Sequence, residues 1–331
     1  VADAEPSSNP AEKEQKPPEG LSQFIGKVLD QLSLSAWMPA AMLVGCGAVL
    51  LQLRSQGNFD LGAAVVGLTA KPLGILVVLL FALVLAALVS QAFSFSAIRF
   101  FEGYWKGPLV WLGVYRIMVR YKARRWHRLT DKLQEQTNRA FETARRAMLD
   151  NNRYELAFVR LVEEVFRQDE VPDTPEYRAA QSFDWRRVLP PDVASREFRL
   201  AQAQREYPFP HRMLPTKLGN ILRATEDRIS RGQDTQDLML RRGEDIPARL
   251  RLHHDQFRTR LDMYCTLIFV HLGLAALTIA LLVPARNSLL GTAVTTTVFL
   301  LLAIASYSAA IASARGYCTT LKVIFSVPTA G

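Results

Sequence analysis

The chain has 331 residues, 49% of them hydrophobic and 21% charged, with a formal net charge of +9. An average between soluble and membrane compositions signals segregation: 31 Lys and Arg against 22 Asp and Glu lie between Lys106 and Arg260, and the remainder is balanced. Cys46, Cys265 and Cys318 are too few and too scattered for a disulfide framework or a metal site. No phosphate-cradling glycine loop, nucleophile elbow or kinase set is present. The sequence therefore points away from an enzyme and implies no cofactor, no metal and no catalytic residue.

Residues 1–20, VADAEPSSNPAEKEQKPPEG, are polar and proline-rich and lack the apolar core of a signal peptide. They read as a disordered cytoplasmic tail. Leu21–Leu34 sets Leu21, Phe24, Ile25, Val28, Leu29 and Leu32 at helical spacing, an amphipathic helix for the membrane surface. A first span is expected at about 36–53 and a second at about 73–98. The second is uncharged for 26 residues, more than the ~20 a helix needs to cross a ~30 Å hydrocarbon core. The loop between them carries only Arg54, Asp60 and Lys71, and its small, apolar centre Leu61–Thr69 fits a re-entrant or an interfacial piece. After the second span come Arg99, Lys106 and the cluster Arg116, Arg120, Lys122, Arg124, Arg125 and Arg128. Positive charge collects on the cytoplasmic side, which sets the loop outside and the cluster inside.

From Pro108 the pattern becomes that of soluble helix. Trp126, Leu129, Leu133, Gln136, Ala140, Ala144 and Ala147 recur at three- and four-residue steps, a narrow seam suited to a bundle or coiled coil. Asn151–Asn152 breaks it, and a second helix is expected at about 153–168. The stretch 169–215 holds seven prolines and reads as mostly irregular, with a short helix at about 194–204. Thr216 is an N-cap candidate for a helix over 217–231 with Gly232 as its stop, and 234–245 reads as a polar loop. Pro247 opens a further helix that runs toward a third span at about 263–283. Arg286 and Asn287 separate it from a fourth at about 289–312, and Arg315 with Lys322 returns the C-terminus to the cytoplasm.

The expected architecture is all-α and polytopic: four transmembrane helices as two hairpins, with a helical cytoplasmic insert between them. The chain divides into a tail (1–20), an amphipathic helix with the first hairpin (21–105), a basic helical domain (106–260) and the second hairpin with the C-terminus (261–331). Both termini are expected in the cytoplasm, with the chain in the cytoplasmic (inner) membrane.

Within the spans, polar residues mark a pore or bundle lining. His271 is an ionisable group in hydrocarbon, where such groups face a bundle interior or a wet cavity. Thr292, Thr296, Ser306 and Ser313 share one face of the fourth span, and Ser90 and Ser94 lie near the cytoplasmic end of the second. Hydroxyls and small residues on one face serve close helix packing and would equally line water. The Arg116–Arg128 cluster, with Tyr115, Tyr121 and Trp126 interleaved, suits contact with anionic lipid, at about 1 kcal/mol per basic residue. Nucleic acid is disfavoured as a partner, because no recognition motif is present and acids are mixed through the basic segment. His253–His254–Asp255 places its histidines on different helix faces, which does not suit a metal.

The string LPTKLGNILRATE at Leu214–Glu226, together with FEGYW at Phe101–Trp105, resembles a family of uncharacterised bacterial multi-pass proteins. In these an LPT-[KR]-LGN-x-LRA-x-E string precedes the last hairpin. Beyond Arg231 this chain departs, with the polar QDTQDLMLRRGED where the family carries a more apolar segment. The resemblance implies architecture and supplies no activity. Physically, Pro215, Thr216, Lys217, Gly219, Asn220 and Glu226 form a helix-docking or ligand motif. Pro215–Thr216 opens a helix, Gly219 permits close backbone contact, and free amides at a helix start attract anions.

Two functional expectations follow. The first is a homo-oligomeric inner-membrane channel gated by its cytoplasmic helices, whose basic vestibule favours anions. Its layout is similar to that of bestrophin-like anion channels, without a matching motif. The second is a non-conducting membrane adaptor or sensor whose cytoplasmic part binds a soluble protein partner or an anionic ligand.

Overall fold

The computed structural model describes residues 34–105, 113–150, 154–168, 170–230, 246–285 and 288–326, with the single positions 107, 110 and 239. The expected tail, the surface helix at Leu21–Leu34, the break at Asn151–Asn152, the stop at Gly232, the loop over 234–245 and the link Arg286–Asn287 lie outside them.

Every regular element among the described residues is helical. In chain order these are α1 (Leu34–Gln56), α2 (Leu61–Thr69), α3 (Leu73–Glu102), α4 (Val114–Asp150), α5 (Leu156–Arg167), α6 (Pro175–Ser182), α7 (Pro191–Arg205), α8 (Lys217–Ser230), α9 (Ala248–Leu282) and α10 (Leu289–Ser326). Short 3₁₀ turns stand at Trp185–Val188 and Pro210–Arg212. Four helices, α1, α3, α9 and α10, are long and apolar enough to cross a membrane, the arrangement of a multi-pass membrane protein. Only 28%, 11% and 28% of the windows in α1, α3 and α10 are buried, against 56% in α9.

The helix expected from Pro247 runs on into the third span, since α9 is one helix of 35 residues from Ala248. Two features differ from the sequence reading. The fourth span continues to Ser326, past the expected end at 312, because Arg315, Lys322 and intervening hydroxyls are compatible with helix once outside hydrocarbon. The proline-rich stretch holds two helices where one was expected. Pro175 and Pro191 each stand in a first turn, where a missing N–H costs nothing.

The chain packs as two compact units. One takes the chain up to Ser94 together with Val270–Leu300, and the other takes Phe95–Phe269 and the chain from Leu301 on. In the first, Asp60 caps α2 by accepting the Ala63 N–H at 3.0 Å, and α2 packs against α1. Ala40 and Ala87 are fully buried beside Trp37, Leu83 and Ala86. A side chain at Gly291 would strike the Phe59 ring, at 2.5 Å from Cγ.

The second unit holds two cores. In one, Phe141 and Phe166 stack at 3.8 Å between ring centroids, and Trp185 meets both edge-on at 5.3 and 5.7 Å. Ala140, Ala144, Met148, Val159 and Val162 close this core of α4 and α5. The other joins Ala97 of α3, Leu218, Ile221 and Leu222 of α8, Leu261 and Cys265 of α9, and Ala310, Ala314 and Cys318 of α10.

Candidate functional site

The second core exists because of α8. Its fourteen residues present Leu218, Ile221 and Leu222 to the core, the i, i+3, i+4 stripe of a helix buried along one side. The segment before it is fixed by Asn220, 1% exposed. The Asn220 Nδ2 donates to the carbonyls of Leu214 (2.8 Å) and Thr216 (2.7 Å), while its Oδ1 accepts the Leu214 N–H at 2.8 Å. The Thr216 hydroxyl accepts the Gly219 N–H at 3.0 Å, capping the helix from its first turn.

The stretches Phe101–Trp105 and Leu214–Asn220 meet here. A Cβ at Gly219 would collide with the Glu102 carbonyl oxygen, so α8 lies directly on the backbone at the end of α3. Gly103 adopts φ +96°, a left-handed conformation that stops α3, and a Cβ there would lie 2.7 Å from Pro215 Cδ. Glycine at 103 and 219 and proline at 215 therefore form one interlock. Around it Phe100, Phe101, Trp105, Phe269 and Tyr307 make a chain of ring contacts between 5.2 and 5.9 Å. The Trp105 Nε1 donates to the Phe100 carbonyl at 2.7 Å. The amides of Lys217 and Leu218 at the start of α8 are turned to the Tyr307 hydroxyl, which occupies the place the sequence offered to an anion.

Charge surrounds the interlock. Arg212 Nη1 lies 2.5 Å from the buried Asp227 carboxylate, and Arg223 pairs with Glu226 at 3.4 Å while reaching over the Tyr104 ring. Burial raises the Tyr104 phenol above the usual tyrosine range, against the pull of Arg223. Glu206 holds Arg315 at 2.6 Å and Lys217 at 3.8 Å. Glu197 accepts Arg186 at 2.8 Å in a bidentate pair, and the Thr137 hydroxyl lies 3.5 Å away.

Between α7, α8 and α10 opens a groove of about 890 Å³. Its lining carries Arg186, Arg205, Arg315 and Lys322 beside Glu197 and Glu206, together with the apolar Phe198, Ile221 and Cys318. The sequence reading did not find this site. Arg205 and Lys322 are remote in sequence, and no local pattern reports that α8 brings their helices together.

The polar span residues are turned inward. His271, Thr292, Ser306, Ser313 and Ser90 are buried, Ser94 and Thr296 partly so. Several hydroxyls bond backward along their own helix: Thr292 to the Ser288 carbonyl at 3.1 Å and Ser94 to that of Gln91 at 2.9 Å. The Thr296 hydroxyl is buried with no hydrogen-bond partner among the described residues. His254 is buried, with Nδ1 3.0 Å from Asp255 and its ring 4.9 Å from that of Tyr317, while His253 is exposed. Among the described residues no three His, Cys, Asp or Glu side chains are set to hold a metal.

Arg116, Arg120, Arg124 and Arg128 stand four residues apart along α4, all exposed, with no acid within ion-pair distance among the described residues. Ile117 and Tyr121 are exposed beside them, at 66% and 55%. Arg125 is exposed as well. Lys122 faces inward: burial, with the charges of Arg125 and Lys217 nearby, holds its ammonium below the usual lysine range.

No family model matches this chain, and neither a curated protein nor a solved structure does.

Proposed function

We propose that the protein is a membrane-anchored sensor or adaptor, in which a cytoplasmic helical domain binds an anionic ligand or a soluble partner and passes its occupancy to the spans. In this reading the four spans form two hairpins with the helical domain inserted between them, and both termini face the cytoplasm. Arg116, Arg120, Arg124 and Arg128, with Ile117 and Tyr121, rest on the anionic inner leaflet. Each basic residue there contributes about 1 kcal/mol.

The observation that carries the reading is the double engagement of α8. One side rests on the Glu102 carbonyl through Gly219, and Ile221 and Thr225 of the same helix line the basic groove. A rigid helix that touches a ligand groove and a span end is a physical connection between them. The test is hydrogen exchange on the reconstituted full chain. In Gly219→Val, protection should fall together in Phe93–Trp105 and Leu214–Asn220. Loss in the second segment alone would sink the coupling.

A second reading, a homo-oligomeric and anion-conducting channel, draws support from the buried Thr296 hydroxyl, unpartnered in the last span. Chloride flux into liposomes, abolished or altered by Thr296→Leu with Ser306→Leu, would favour it. An impermeable proteoliposome with confirmed insertion would leave the sensor reading alone.

A further inference from the structure

Resting on the sensor reading, we infer that the groove between α7, α8 and α10 is a binding site for a phosphate ester, held by Arg205 and Lys322. The groove presents four cations and two carboxylates. Both carboxylates are already engaged, Glu197 by Arg186 and Glu206 by Arg315 and Lys217. Arg205 and Lys322 are exposed and have no acid within 4.0 Å among the described residues. Two unneutralised cations lining one groove attract a compact anion. The planar guanidinium fits two phosphate oxygens at once, and the lysine supplies a point charge.

Fixed pairs frame these two groups. Arg186 and Arg315 each direct their Nε and Nη2 to a carboxylate, which leaves one further nitrogen, Nη1, free to donate to a ligand from the rim. Ser195 and Thr319 give their hydroxyl protons to the carbonyls of Asp192 and Arg315, so they do not compete as donors. Cationic donors therefore dominate the recognition. The apolar lining of Ala201, Phe198, Ile221 and Cys318 suits the carbon skeleton of an ester better than free inorganic phosphate. The volume, about 890 Å³, is ample for a small organic phosphate.

Counted from Leu289 at 1.5 Å per residue, Arg315 and Lys322 lie about 39 and 50 Å along α10, beyond a ~30 Å hydrocarbon core and the roughly 5–8 Å of headgroup on one side. That depth favours a soluble phosphate ester, and a lipid phosphate of the same chemistry is separated from it by the arms of the experiment.

The experiment uses the full chain in phosphatidylcholine nanodiscs, titrated with sn-glycerol 3-phosphate by calorimetry. A parallel set of discs containing phosphatidic acid is read by hydrogen exchange over Pro191–Arg205 and Arg315–Lys322. Saturable binding, weakened at least tenfold in Arg205→Gln/Lys322→Gln, supports a soluble ligand. Protection only in phosphatidic acid discs, lost in the same variant, supports a lipid headgroup. Both replaced side chains are exposed and unpaired, and an unchanged melting temperature verifies that folding survives. Lys132→Gln/Arg146→Gln, two exposed residues of α4 outside the groove and outside the lipid-facing row, is the control for charge alone and should leave both readouts as they are. Neither binding nor protection, or binding indifferent to the double variant, overturns the site. Binding that leaves exchange over Leu214–Asn220 unchanged keeps the site and overturns the sensor reading.

Discussion

The two compact units are built by different rules. Up to Ser94 and over Val270–Leu300, the fully buried side chains are small or aliphatic, Ala40 and Ala87 as well as Leu53, Leu274 and Leu282, while Leu73, Val78, Phe81 and Leu85 are exposed. The other unit buries Phe141, Met148, Leu218 and Trp185, and contains every ion pair found among the described residues. Solvent explains the difference. In water, burying an aromatic ring is the main gain on folding. In lipid that gain is absent, and helices associate through close backbone approach and packing of small side chains.

Substitutions can break this contrast or sharpen it. The largest effect is expected for Phe141→Ala, which empties the centre of the α4–α5 core and should cost about 3–5 kcal/mol. Denaturant unfolding followed by near-ultraviolet circular dichroism would measure it. A cost below about 1 kcal/mol would mean that this core is loosely packed. Asn220→Ala removes three hydrogen bonds at a buried site and strands the Leu214 N–H. A loss of about 2–3 kcal/mol is expected, read as a lower melting temperature in detergent. Ala87→Leu should cost about 1–3 kcal/mol by forcing α1 and α3 apart. Introduced cysteines on the two helices would then cross-link more slowly, and unchanged cross-linking would show that Ala87 is not at a tight contact. The smallest effect is expected for Leu85→Ala, within about 0.5 kcal/mol, because that side chain is exposed and lipid replaces what it touched. If Leu85→Ala proved as costly as Phe141→Ala, a second copy of the chain would be covering this face.

The sequence was most legible where a physical rule acts on neighbouring residues. The uncharged run Leu73–Ile98 and the apolar lengths of α9 and α10 needed only the thickness of a bilayer. The seam at Ala140 and Ala144 needed only helical periodicity. Prolines at 175 and 191 misled, because the same residue that breaks a helix interior begins a helix readily. The interlock was half legible. Gly219 and Pro215 stood out as docking residues, but their counterparts Glu102 and Gly103 belong to another stretch, and pairing them needs the fold. Tyr307 could not be read at all. In sequence it is an aromatic in an apolar span, and only the approach of α8 gives its hydroxyl two amides to meet. Arg205 and Lys322 were unreadable as a pair for the same reason.

The contact beneath Gly219 is with a carbonyl oxygen, an atom that every amino acid supplies. Selection acting on this contact thus falls unevenly on its two sides. Position 102 is free to drift as far as the contact is concerned, since any replacement presents the same oxygen. Position 219 has no such latitude, because even a methyl group would have to share that oxygen's space. A lineage could exchange the glutamate without disturbing the joint, yet the glycine opposite would have to stay.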